Sequence, residues 1–244
     1  MRKFVGVIDS GVGGLTVLQK LQAGNSCNFT YVADHAFCPY GTKIDEIIFS
    51  RAVRIIDCLC RDGAYAVALA CNTLSVFAAR LRALFDIPVY DVIAPTCDTV
   101  IKTTSSKRVA LLATDATVRS NAYPEILSQS GISVVSFRCS GFVPFIERGD
   151  IDSQSCREAV YERLNALPQS CVDTVILGCT HFPLLENQIS LYCGGAKIVE
   201  CGCGELRFED CDNPSTEFLT TGDAVRATRA AKWYGNVNFQ HAEI

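Results

Sequence analysis

Thr174-Val175-Ile176-Leu177-Gly178-Cys179-Thr180-His181-Phe182-Pro183 is the stretch from which this fold can be read. Three β-branched residues, Leu and Gly run on without a charge and end in small polar residues, and Pro183 follows where a first helical turn tolerates it. An uninterrupted apolar run of this length fits a strand buried on both faces, as in a parallel sheet. It sets one thiol at the strand mouth. Far upstream, Tyr65-Ala66-Val67-Ala68-Leu69-Ala70-Cys71-Asn72-Thr73 repeats the arrangement, with a second cysteine and then small polar residues. Two similar halves facing each other would bring these loops together across a cleft.

Outward from these two runs, strands alternate with helices. Phe4 to Ile8 reads as a strand, Asp9-Ser10-Gly11-Val12-Gly13-Gly14 as a loop, and Leu15, Val17, Leu18 and Leu21 fall at helical spacing. Phe29 to Ala33 is a second strand. Pro39 and Gly41 mark the loop Asp34 to Thr42, and Lys43 to Asp62 reads as a helix whose broad apolar face takes in Ile44, Ile47, Ile48, Val53, Ile55, Ile56 and Leu59. Gly63 stops it, and a helix over Ser75 to Phe85 follows the Cys71 loop. A second round has a helical stretch after Pro95, a strand at Val109 to Ala113, a polar loop Thr114 to Thr117, and a late or bent helix near Pro124. It continues with a strand at Ile132 to Phe137, a helix over Asp152 to Leu167, the Cys179 strand, a helix to about Tyr192 and a strand at Lys197 to Val199. A strand at Glu217 to Thr220 and a helix over Asp223 to Tyr234 close the chain. The expected fold class is α/β, two pseudo-symmetric three-layer halves with mainly parallel sheets facing each other across a cleft. The first half is expected over residues 1–94 plus 205–244 and the second over 95–204. Ligands bind such sheets at the carboxyl ends of strands, where Asp9, Cys71, Thr114 and Cys179 all fall.

Composition narrows the function classes. With 244 residues, 49 % hydrophobic and 20 % charged, the chain matches ordinary globular usage and excludes a disordered or collagenous protein. A net charge of -4 with scattered Lys and Arg gives no attraction for nucleic acid or an anionic membrane. The apolar run after Met1-Arg2-Lys3 is too short for a signal peptide or membrane span, so a cytoplasmic protein is expected. Fourteen cysteines in so long a chain without an export signal are read as free thiols, and Cys27, Cys58, Cys60, Cys97, Cys156, Cys171 and Cys193 as small hydrophobes. No metal is expected: Cys58 and Cys60 sit two apart on a helix and face different ways, and Cys201-x-Cys203 lacks a second pair.

Two opposed thiols suit one chemistry in particular. A thiolate on one face of a substrate removes a proton, and a thiol on the other face returns one, so the stereocentre inverts. A free thiol has a pKa of about 8.5, so the base needs donors that favour its thiolate; each cysteine directly precedes a helix start, which supplies such a field. A dinucleotide site is the competing reading of the glycine loop, with Asp34 about twenty residues beyond the strand. Its fingerprint fails at Thr16, where the third glycine should stand, and Asp9 would set a carboxylate beside a pyrophosphate. A nucleotide-dependent oxidoreductase or a non-catalytic amino-acid binder remain as alternatives of a different class. His35 and His241 stand outside any motif and read as surface or packing residues.

The motifs resemble those of the cofactor-independent aspartate/glutamate racemase family over nearly the full length. They are Gly6-Val7-Ile8-Asp9-Ser10-Gly11-Val12-Gly13-Gly14-Leu15, Pro39-Tyr40-Gly41, Ala70-Cys71-Asn72-Thr73, Ala113-Thr114-Asp115-Ala116-Thr117-Val118, Leu177-Gly178-Cys179-Thr180-His181-Phe182-Pro183 and Thr221-Gly222-Asp223. The resemblance implies Cys71 and Cys179 as the acid/base pair, with Asp9 assisting near the first and His181 near the second. It implies substrate contacts from Ser10, Tyr40, Gly41, Asn72, Thr73, Thr114, Thr117 and Thr180, and Cys71 acting on D-glutamate, Cys179 on L-glutamate. It further implies an isomerase without cofactor, a homodimer, and D-glutamate supply for peptidoglycan. Aspartate is the alternative substrate; His181 after Gly-Cys-Thr, where aspartate-specific members carry Glu, favours glutamate. Glu147 falls where the family carries an acid near the site and is left without a role. Two positions depart from the family pattern: Ser140 stands where Pro is usual and Glu200-Cys201 where Asp-Ser is common.

Overall fold

A computed structural model describes residues 2–165, 167, 172–203 and 205–244. Cys171 lies outside the described residues. Among the described residues ten strands form two sheets in which every pairing is parallel. The first contains β1 (Phe4–Asp9), β2 (Phe29–Ala33), β3 (Ala64–Leu69) and β4 (Val89–Asp91); the second contains β5 (Arg108–Ala113), β6 (Ser133–Arg138), β7 (Thr174–Gly178) and β8 (Lys197–Val199). The chain then returns, and β9 (Thr216–Thr220) and β10 (Gln240–His241) extend the first sheet.

The spatial orders are β2-β1-β3-β4, continued beyond β2 by β9 and β10, and β6-β5-β7-β8. Each half thus repeats one order, with its first strand at the centre and its third beside it. Cys71 follows the third strand of the first half and Cys179 the third strand of the second, so the two thiols occupy equivalent positions. Asp9 and Thr114 are likewise equivalent, each at the end of a central strand.

Strand side chains alternate between faces, so one buried strand feeds two cores. Val5 and Val7 of β1 enter one cluster, Phe4 and Ile8 another. In the second sheet Val109 and Leu111 of β5 go to one side, Ala110 and Leu112 to the other. Helices cover both faces, which is the three-layer arrangement expected. They are α1 (Leu15–Gly24), α2 (Asp45–Asp62), α3 (Asn72–Ser75), α4 (Ala78–Arg82), α5 (Ile93–Thr103), α6 (Asp115–Ser120), α7 (Ala122–Ser128), α8 (Val143–Glu147), α9 (Gln154–Leu164), α10 (Glu186–Ser190) and α11 (Ala224–Ala230).

Several local readings are corrected. Strands β4 and β10 carry no sequence signal, being three and two residues long. The helix read over Ser75 to Phe85 is two short helices, α3 and α4, broken at Val76 and Phe77, and Leu84 is exposed. Thr114 to Thr117 is a helix start, not a loop: the Thr114 side chain caps α6 by accepting from the Thr117 N–H. The break near Pro124 falls at Asn121, which adopts a left-handed conformation between α6 and α7. Helix α2 begins at Asp45, two residues later than the Lys43 start expected, and is stopped after Asp62 by Gly63 in the left-handed conformation, as read, but Ile44 and Ile47 are exposed. Among the described residues no helix is long and apolar enough to cross a membrane.

Candidate active site

Both thiols line one narrow space of about 10 Å³ between the halves, together with Ser10, Tyr40, Thr73, Thr114, Thr180 and His181. Cys71 is 6 % and Cys179 5 % exposed, so solvent scarcely reaches either. Burial pushes the Cys71 thiol up to about 12, Asp9 adds to this, and the backbone N–H groups of Leu74, Thr73 and Ser10 pull the other way. Burial holds Cys179 well above its ordinary value, against the N–H of His181. The expected field from helix starts is therefore outweighed. Helix α3 has only four residues, and the turn after Cys179 is a 3-10 helix over Phe182–Leu185 that starts three residues on. Both shifts favour the neutral thiol.

The Cys179 side carries a chain of polar groups. Cys179 Sγ lies 3.7 Å from His181 Nδ1, and His181 Nε2 lies 2.6 Å from Glu147 Oε1. Glu147 also meets His35 Nε2 at 3.1 Å and accepts the Val12 N–H at 2.9 Å. Burial disfavours the Glu147 carboxylate, but its bonds from His181 and His35 prevail and hold it well below the usual range. Burial also disfavours charged His181, and the hydrogen bond and charge of Glu147 prevail again, raising its pKa. An ionised carboxylate can only accept, so Nε2 of His181 carries the hydrogen and Nδ1 faces the thiol as its acceptor when the ring is neutral.

The glycine loop exists to admit this pair. A Cβ on Gly13 would lie 2.4 Å from His181 Nδ1, and one on Gly11 would lie 1.9 Å from Glu147 Oε1. The close approach that suggested a pyrophosphate is made by the protein's own imidazole and carboxylate. Asp9, fully buried, accepts from the Gly11 N–H at 3.0 Å and from the Thr180 hydroxyl at 3.1 Å. It sits behind the cavity wall and its charge bears on both thiols, not on Cys71 alone. Burial raises its pKa, while His181 and the Gly11 N–H oppose the rise.

Three hydroxyls from the two halves meet beside Cys71. Thr73 Oγ1 is 3.0 Å from Thr114 Oγ1 and 3.4 Å from Thr117 Oγ1, and Thr114 and Thr117 are 3.0 Å apart. Rotating hydroxyls can turn their hydrogens toward an incoming carboxylate. Ser10 Oγ lies 4.0 Å from Cys71 Sγ.

Two expected contact residues are otherwise engaged. The Tyr40 hydroxyl donates to buried Asp34, which also takes a fork from Arg51 at 2.8 and 2.9 Å and the Thr221 hydroxyl at 2.6 Å. Tyr40 and Gly41 therefore offer backbone rather than a phenol. Asn72 donates Nδ2 to Cys201 Sγ at 2.8 Å and accepts from the Tyr123 hydroxyl at 2.7 Å, which ties the Cys71 loop to the second half.

The departures from the family pattern find partners of their own. Ser140 Oγ accepts the Asp115 N–H at 2.8 Å, and Glu200 pairs with Lys20 at 2.5 Å. Sequence reasoning missed two members of the site. Glu147 was given no role and His35 was read as surface or packing, yet His35 joins Glu147 to the Thr220 hydroxyl, 2.8 Å from its Nδ1. His35 stands just past the end of β2, where the strand-end rule points. His241 is exposed, as expected. Among the described residues no group of three or more His, Cys, Asp or Glu is placed to hold a metal ion.

Known proteins share both sequence and architecture. The profile of the family described as Asp/Glu/Hydantoin racemase matches residues 16–201. A glutamate racemase of Corynebacterium kroppenstedtii is 40 % identical over 237 residues, covering 90 % of this chain and 82 % of that one. A glutamate racemase isoform of Bacillus anthracis superposes with a TM-score of 0.89 at 28 % identity, covering 99 % of this chain and 98 % of that one. The glutamate racemase of Francisella tularensis, solved in complex with D-glutamate, gives 0.87 at 28 % identity, covering 100 % and 97 %. On this sequence and structural agreement, the chain belongs to the Asp/Glu/hydantoin racemase family.

Proposed function

We propose that the protein interconverts L- and D-glutamate by a two-base mechanism, Cys179 and Cys71 acting on opposite faces of the α-carbon. The observation that carries this reading is the placement of two buried thiols on equivalent strand ends of two like halves, lining one cavity. The activity of the relatives supports glutamate as substrate.

For L-glutamate, Cys179 gives its proton to His181 Nδ1, and the imidazolium formed is held by Glu147. The thiolate takes the α-proton, and Cys71, kept neutral by burial, delivers its proton to the other face. Charge that develops on the α-carboxylate is met by hydroxyl and N–H donors already in place around Ser10, Thr73, Thr114 and Thr180. Thr117 backs the Thr73 and Thr114 hydroxyls, and Tyr40, Gly41 and Asn72 contribute through backbone. The reverse direction starts from the Cys71 thiolate that the forward step leaves. It takes the α-proton of D-glutamate, Cys179 delivers its proton to the other face, and the imidazolium of His181 returns one to the Cys179 thiolate, with Asp9 bearing on both thiols through its charge. A high thiol pKa is no obstacle once the proton has an acceptor, because a strongly basic thiolate is what a weak carbon acid requires.

Kinship with this family supports the wider setting that we propose: a cytoplasmic homodimer supplying D-glutamate for peptidoglycan. The direct test is incubation in deuterated water with each enantiomer of glutamate and aspartate, without added cofactor, following loss of the α-proton and inversion. Inversion of glutamate with deuterium uptake is expected; no exchange with either amino acid would sink the reading.

A further inference from the structure

Outside that space lies a larger cavity of about 230 Å³, separated from it by Pro39 and Val143, which line both. Pro39 comes from the first half and Val143 opens α8 in the second, so the partition is made by both. The outer cavity runs on into a surface hollow rimmed by Arg148, Arg226 and Arg229. All three are exposed, and none makes an ion pair among the described residues; Arg148 rests over the Phe145 ring at 5.2 Å.

Two carboxylates line the same hollow, each with a partner of its own. Glu147 is bound by two histidines, and Asp223 accepts the backbone N–H of Arg226 at 2.9 Å as the cap of α11. Three guanidinium groups without an ion pair among the described residues thus face two carboxylates around the outer hollow, a local excess of positive charge in a chain whose net charge is -4. In two other hollows Lys20 is paired to Glu200, and Lys197 is the one further cation in their lining.

We propose that this arginine-rimmed cavity is an outer subsite for a dicarboxylate, which collects glutamate by its two carboxylates before Pro39 and Val143 part to admit it. The inference rests on the racemase reading for the identity of the ligand. Cationic groups around a concave surface focus their field and raise the local concentration of an anion, and exposed groups do so only within a Debye length of about 8–10 Å at ordinary salt. Capture by charge acts on kcat/KM and leaves kcat alone, because the arginines lie outside the space that holds the thiols.

The test compares the unaltered protein with Arg148→Gln/Arg226→Gln/Arg229→Gln and with the matching triple Lys variant. Racemisation by the unaltered protein is read first, and its absence would count against the parent reading only. The subsite is judged on the salt dependence of kcat/KM and, independently of turnover, on the affinity for glutarate measured by calorimetry. At low ionic strength the triple Gln variant is expected to lose about tenfold in kcat/KM and in glutarate affinity, with kcat unchanged and the salt dependence flattened. The triple Lys variant is expected to keep most of both. Unchanged kcat/KM and salt dependence in the Gln variant would overturn the proposal. So would a fall in kcat that matches the fall in kcat/KM, or a Lys variant as impaired as the Gln one. Single Arg148→Gln and Arg226→Gln variants, each at an exposed position, give the same reading with smaller changes should the triple variant fold poorly.

Discussion

Replacing Glu147 by Gln removes a charge while keeping the length of the side chain and one acceptor. In the native site the carboxylate takes His181 Nε2 at 2.6 Å, His35 Nε2 at 3.1 Å and the Val12 N–H at 2.9 Å. A hydrogen bond to a charged group contributes about 1.5–3 kcal/mol, and the imidazolium of His181 loses one of that kind. If proton transfer from Cys179 to His181 precedes the slow step, the barrier rises by that amount, which is about 10- to 100-fold in rate. Enantiomers have equal free energies, so kcat/KM must fall by one factor in both directions even though only one thiol is affected directly. The pKa of His181, raised in the native site, drops in the variant, and the limb of the pH profile that it carries moves to lower pH. The assay is kcat/KM for L- and D-glutamate by optical rotation across pH, with a thermal melt to show that the variant is folded. A folded Glu147→Gln protein with unchanged kcat/KM and an unchanged profile would refute the relay through His181.

The same pair makes stability depend on pH, in a direction that follows from the two shifts. Glu147 is held below its ordinary value of 4.5, so its contribution is complete above that pH and is lost as pH falls through the folded-state value. His181 is raised above 6.5, so its contribution is complete below that pH and is lost as pH rises through the folded-state value. The difference in thermal midpoint between native protein and Glu147→Gln is therefore expected to be greatest between pH 4.5 and 6.5; a difference that does not vary with pH would contradict the ion pair. At the other end of the site, Arg51→Met leaves Asp34, which is fully buried, without its fork. Breaking a buried pair in this way costs about 3–5 kcal/mol, or roughly 6–20 °C in thermal midpoint for a chain of this size. Calorimetry showing a shift within a degree or two of zero would mean that the pair is not the anchor of the Tyr40 loop.

What could be read from the chain was whatever had a period or a sharp boundary. The apolar runs into Cys71 and Cys179, with small polar residues beyond them, gave the third strand of each half and the position of both thiols. Strand β4 was missed because three residues after a Pro show no alternation, and the Thr114 turn was misread because a capping threonine and a loop threonine look alike in sequence. The Glu147 contacts were out of reach for a different reason. Its bond to His35 joins residues 112 positions apart, and nothing local in Phe145-Ile146-Glu147-Arg148 foretells which imidazole the carboxylate will meet. The glycine loop illustrates the same limit on local reading. Its spacing shows that something must approach closely, but only the packing of α8 against it shows that the visitor is Glu147 with His181.

The central claim is that each thiol serves one face of the substrate, and single-thiol variants in deuterated water test it most directly. With Cys179→Ala, Cys71 remains to exchange the α-proton of D-glutamate, and with Cys71→Ala, Cys179 remains to exchange that of L-glutamate. Each variant is expected to label one enantiomer at a reduced rate and to invert neither. Near-native inversion by either variant, or exchange of both enantiomers by a protein with one of the two thiols, would contradict the two-base account.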